Sequence, residues 1–205
     1  EGSLKDLKEV NHLLTEISKT AQNVSKADLS ALGASAFSTA GKYGQKASGY
    51  LTGVQEMSLA GYDNAEELAE LGLLTQTAGS LDAGLARDYL LAMDAAYHLK
   101  GNVEALTAVL DGQTQVTTKN ALSMKDLAEA TKLIASQSAS SGISIEESTA
   151  AIAAMLAATR QGGDEIAQAW RGILMNLQQV EGEMGNGEIL NSEALAKSEQ
   201  ACTDL

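Results

Sequence analysis

Proline is missing from all 205 positions. Average usage near 5% would place about ten in a chain this long, so nothing here forces a helix interior to break for want of a backbone donor. Cysteine is nearly missing too. Cys202 stands alone, which excludes a disulfide framework and a cysteine-based metal set, and fits a cytosolic setting. Aromatic residues make up 3%, too few to line a ring-walled pocket or a base-stacking platform. No apolar run approaches the roughly 20 residues that span a bilayer, and the start does not read as a signal peptide. Basic residues are short as well, 14 against 27 acidic, for a net charge of −13. Such a chain lacks the basic face that duplex nucleic acid or an anionic membrane requires. The charge serves solubility through self-repulsion.

What remains is helix-forming. Ala, Leu, Glu, Lys, Gln and Met fill the periodic segments, and glycine is left as the main breaker. The chain reads as all-α, with N-terminal long helices carrying heptad seams followed by an array of short amphipathic helices. Glu1-Gly2-Ser3 reads as a cloning remnant outside the fold. Residues 4–60 form the long helical segment. Leu7, Val10, Leu14, Ile17, Ala21 and Val24 recur at alternating steps of three and four, an a/d seam. Tyr43, Ala47, Tyr50, Val54 and Met57 repeat the pattern after the glycine-spaced stretch from Gly33 to Gly44. Such seams either zip to another copy or lie on the body of the same chain.

Residues 61–180 read as a compact multi-helix module. Asp63 or Asn64 caps "AEELAEL", and Ser80 starts "LDAGLARDYLLAMDAAYHL" with Leu85, Tyr89, Ala92, Met93 and Ala96 on one face. Gly101 ends that helix and Asn102 caps "VEALTAVL". The polar, threonine-rich "DGQTQVTTKN" predicts a loop. Ser123 opens "MKDLAEATKLIASQ", Gly142 closes it, and Ser144 with Glu147 forms a capping box for the next helix. Ile145, Thr149, Ile152, Leu156 and Thr159 make its buried stripe; Ile166, Trp170, Ile173, Leu174 and Leu177 make that of the helix after it. Residues 181–205 read as a glycine-and-acid break, "EGEMGNGE", then a weakly helical tail whose polar ending fits a fragment of a longer chain.

The chemistry candidates are weak. Gly162-Gly163-Asp164-Glu165-Ile166 is one residue away from the GGDEF signature of diguanylate cyclases, which needs a β-hairpin. Here helical text stands on both sides. The pair instead predicts a left-handed helix end at Gly162-Gly163, with Asp164 starting the next helix. His12 and His98 sit on separate polar-flanked helices, and Cys202 has no evident base nearby. Glu66-Glu67 and Glu146-Glu147 occupy first turns, where the helix dipole accounts for them. Asn23-Val24-Ser25 is a formal glycosylation sequon in mid-helix. Trp170 reads as a core anchor, with Arg171 projecting sideways and Gly172 admitting a neighbouring helix. The expectation is no catalytic, cofactor-binding or metal residues, and no enzyme.

"SGISIEESTAAIAAMLAATRQGGDEIAQAWRGILMNLQQV", residues 141–180, resembles the core region of phage tail tape measure proteins. That family shows a G-[IV]-S-x-[ED]-E opening, an Ala-rich helix, a small-residue turn and a leucine-spaced final helix. "GYLTGVQEMSLAGYDNAEELAEL", "DYLLAMDAAYHLKGNVEALTAVLDG" and "NALSMKDLAEATKLIASQSASSG" are similar to successive upstream pieces of the same region in prophages of Gram-positive bacteria. The likeness runs from about Leu4 to Val180. It departs at Ala167-Gln168-Ala169-Trp170, where members often carry G-T-A-L or G-R-A-F, and the bulk of Trp170 implies a different local packing partner. The resemblance implies a structural protein of the virion tail, assembled in the host bacterial cytoplasm, that sets tail length and templates the tube. It implies tail-tube and tail assembly chaperone proteins as partners, with self-association through the heptad seams, and neither cofactor, nucleic acid nor membrane span for this stretch. The alternative class is a non-catalytic helical scaffold or interaction module of a secreted or signalling system. Signalling bundles, however, keep heptads unbroken over longer stretches than these glycines allow.

Overall fold

Helix starts set the element order. In the computed structural model, which describes residues 2–20 and 26–185, nine helices and no strand appear among the described residues. They are α1 (Gly2–Thr20), α2 (Lys26–Lys42), α3 (Ala47–Leu59), α4 (Ala65–Gly79), α5 (Ala83–Tyr97), α6 (Val103–Lys119), α7 (Met124–Ser140), α8 (Ile145–Thr159) and α9 (Gly163–Gly185). The all-α expectation holds. Three caps fall where the sequence puts them. Asn102 accepts the Ala105 N–H, Ser123 accepts the Asp126 N–H, and Ser144 and Glu147 close a reciprocal capping box.

Others move. Ser80 does not start α5; it ends α4 in a left-handed conformation (φ 52°), and Asp82 caps α5 through the Leu85 N–H. α5 ends on His98, also left-handed, so Gly101 (φ +71°) shapes the link to α6 and not the helix end. Asn64 precedes α4, but its side chain caps nothing there and donates instead to the Gly101 carbonyl at 2.9 Å. α1 already includes Gly2 and Ser3, and the Gly33–Gly44 stretch is mostly the helix α2.

The largest correction is "DGQTQVTTKN", which is helix and not loop: α6 runs through it to Lys119. Leu106, Leu110, Gln113 and Thr117 recur at helical spacing and are all buried. Gln113 replaces an aliphatic residue on that stripe because both ends of its amide are used. Tyr89 donates to its oxygen at 2.8 Å, and its nitrogen donates to Thr149 at 2.9 Å. A buried polar group costs little once satisfied. Helical text thus hides behind polar letters.

α5 and α7 form the most extensive helix pair. Ala86, Tyr89, Met93, Leu127, Ala128, Ala130 and Ile134 are completely buried where they meet, and the alanines let the backbones approach closely. On the N-terminal side, α1 lies against α2 and α3. Its seam turns inward, with Val10 and Ile17 buried and Leu14 half-buried, while Leu7 stays 45% exposed. Ala21 and Val24 lie outside the described residues. Asp6 on α1 accepts the Ser48 N–H at 3.2 Å, so one helix supplies the cap that Lys46 cannot give α3. Ala47, Tyr50, Val54 and Met57 of the second seam are buried as expected.

Candidate functional site

The GGDEI stretch resolves into a helix-to-helix turn. Arg160 takes the left-handed conformation at the end of α8 (φ 58°), a role expected of the glycines. Gly163 opens α9 and serves closeness instead. It lies against the first turn of α7, where an added Cβ would collide with the Asp126 carbonyl and come within 2.9 Å of the Glu129 Cβ. Glu165 turns back to accept the Gly162 N–H at 3.3 Å. The carboxylates therefore serve the helix start, and helix stands on either side.

The remaining candidates do not converge. His12 is exposed on α1, and His98 ends α5. Cys202 and Asn23-Val24-Ser25 lie outside the described residues. Glu66, Glu67, Glu146 and Glu147 all sit in first turns. Glu147 is held below the usual carboxylate range by the backbone and hydroxyl of Ser144. No group of His, Cys, Asp and Glu among the described residues could hold a metal ion. No helix is long and apolar enough to cross a membrane among them.

Several polar junctions escape sequence inspection. Asp94 is buried on α5; one of its oxygens takes the Gly101 N–H at 2.7 Å and the other takes the Tyr62 hydroxyl. Burial, then the Asp94 bond, pushes the Tyr62 phenol up to about 12. Ser138, fully buried, accepts from the Trp170 indole at 3.1 Å and from Ser148 at 3.2 Å. Trp170 is accordingly half-buried against the core with its N–H satisfied. Arg171 lies back on α7, donating to Gln137 and to the Leu133 carbonyl. Gly172 faces open space among the described residues, so none of the described helices uses it. Arg87 pairs with Glu56 and Asp88. These bonds tie a helix to another helix or to a connecting turn, apart from Arg87–Asp88 within α5. The one available signal was a polar letter on an apolar stripe, as Gln113 is on α6.

Two surface features remain. A groove of about 550 Å³ runs between α1, α3 and α4, floored by Gly49, Gly53 and Gly72 and edged by Gln76 and Arg87. The C-terminal half of α9 departs from its expected stripe: Leu174 is fully buried, but Ile173 and Leu177 are 44% and 50% exposed. Both features are contact surfaces among the described residues.

A family model described as phage-related minor tail protein matches residues 18–197. The chain belongs to that family. No curated protein and no solved structure matches it. The tail protein is thus a structural component of the phage virion tail, and its buried polar bonds and helix caps are the parts of a scaffold.

Proposed function

We propose that this tail protein is a segment of the tape measure, the protein whose helical length sets how far the tail tube grows. Membership of the minor tail family supports the reading, and the observation that carries it is a proline-free chain in which helices leave only short turns among the described residues. A helix rises about 1.5 Å per residue, so residue count converts linearly into length. The compact helices after Gly61 then form a folded module set along the ruler. Tail-tube and tail assembly chaperone proteins are the partners in this reading, and assembly takes place in the cytoplasm of a Gram-positive host that carries the phage as a prophage. The test is tail length by electron microscopy. Deleting residues 4–60 in frame is expected to shorten the tail, by less than the about 85 Å of one continuous helix because α1, α2 and α3 pack on one another. Duplicating the same stretch lengthens it equally. Tails of unchanged length in both phages would overturn the proposal.

A further inference from the structure

The start of α3 opens onto the glycine-floored groove, and its donors are only partly used. The first amides of a helix have no partner within it. In α3 the Ser48 N–H goes to Asp6 at 3.2 Å, and Lys46 in the cap position offers no side-chain bond. The Gly49 N–H keeps no partner among the described residues. Ser48 is only 6% exposed and lines the groove, and its hydroxyl also has no partner among them. Buried hydroxyls ordinarily find one. Those of Thr114 and Thr131 are sealed in without a partner, whereas that of Ser48 reaches the groove. Lys46, exposed on the same rim, makes no ion pair among the described residues. One end of the groove therefore gathers an amide, a hydroxyl, an ammonium and the positive end of a helix. Each of them wants an acceptor.

The rest of the groove narrows the choice of ligand. Gly53 packs against α4, where an added Cβ would stand 3.2 Å from that of Ala69, so backbone forms much of the floor. Gly49 and Gly72 meet nothing within 4 Å. Gln45 and Gln76 line the groove with side-chain amides, which match the donor and acceptor of a peptide group. At the far end Arg87 is already paired with Glu56 and Asp88. On the α1 side stand two carboxylates, Asp6 and Glu9. They repel a dianion such as phosphate, while a single negative charge is balanced by Lys46. The volume of about 550 Å³ falls within the range of ligand clefts.

We propose that this groove takes the C-terminal end of a partner polypeptide. The terminal carboxylate accepts from the Gly49 N–H, the Ser48 hydroxyl and Lys46, and the residues before it lie over Gly53 and Gly72. Free helix-start amides are a known means of holding such a carboxylate. The inference does not rest on the tail-length reading.

The test is a nuclear magnetic resonance titration of the ¹⁵N-labelled chain with acetyl-trialanine, whose carboxylate is free. The amides of Ser48, Gly49 and Gly72 are expected to shift. The same peptide closed as its C-terminal amide is expected to bind about tenfold more weakly, the loss of a hydrogen bond to a charged group. Ser48→Ala weakens the acid by a similar factor. Gly72→Leu fills the groove without touching the donors and abolishes the shifts, while the rest of the spectrum persists. The proposal is overturned if the acid moves none of these amides, if acid and amide bind alike, or if binding survives either substitution unchanged. Inorganic phosphate moving the same amides as strongly overturns it too, since an anion alone then suffices.

Discussion

Gly163 begins α9 directly against the carbonyl of Asp126, with no room between them for a side chain. The obstacle is backbone on an interior helix, which cannot swing aside. Gly163→Ala is therefore expected to cost on the order of 2–3 kcal/mol in urea unfolding, the scale of an overpacked core. Gly172, with nothing within 4 Å, is the control. Gly172→Ala is expected to stabilise by about 0.5–1 kcal/mol through helix propensity. Equal effects at the two sites would contradict the close approach.

Gln113 links Tyr89 to Thr149 inside the core. Gln113→Leu keeps the volume but strands two buried hydroxyls, at about 1–3 kcal/mol for each. Adding Tyr89→Phe removes one stranded group, so the double variant should recover part of the loss. A double-mutant cycle measures that coupling. Strict additivity would mean the bond contributes nothing.

Tyrosine titration gives a pH prediction. Burial pushes the Tyr50 and Tyr62 phenols up to about 12, with Glu66 and Asp94 as their respective next contributors, and burial raises Tyr89 further. An unfolded tyrosine ionises near 10. Between about 10 and 12 the unfolded state therefore holds fewer protons than the folded one, and stability must fall as pH rises. It is fully present below 10. Unfolding free energies measured from pH 9 to 12 should decline, and less so in Tyr62→Phe. Absorbance titration showing all five phenols ionising together near 10 would refute the burial argument.

The cap assignments separate into two signs. Ser144→Ala removes the hydroxyl half of a capping box and is expected to cost about 1 kcal/mol. His98→Gly relieves a left-handed non-glycine residue and is expected to gain up to about 1 kcal/mol. Thermal unfolding of both variants decides. A large loss in His98→Gly would reveal a side-chain role for this histidine that its position does not supply.

Helix starts were largely legible because a cap is a local transaction between a side chain and an N–H three residues on. Ser123, Ser144 and Asn102 needed no tertiary information. Ser80 and Asn64 misled for the same reason in reverse: polar letters near a helix start also serve at a helix end or bond a distant loop. "DGQTQVTTKN" reads as a loop because its helical stripe is carried onward by the polar Gln113 and Thr117 in place of apolar residues. No inspection of one segment reveals that Tyr89 and Thr149 wait on other helices to satisfy Gln113.

By itself, the sequence determined that the chain is helical and where most of its breaks fall, because propensity, capping and the lack of proline act within a turn or two of the backbone. Tertiary structure alone decided which polar groups are buried, that the α1 seam faces its own chain, and that Gly163 is a contact point. Each of those depends on what lies across a helix interface, where the partner comes from a different stretch of the chain, as Asp126 and Gly163 do. It also decided that Ile173 and Leu177 stand in solvent, since the same stripe of side chains is core or surface only according to the presence of a neighbouring helix.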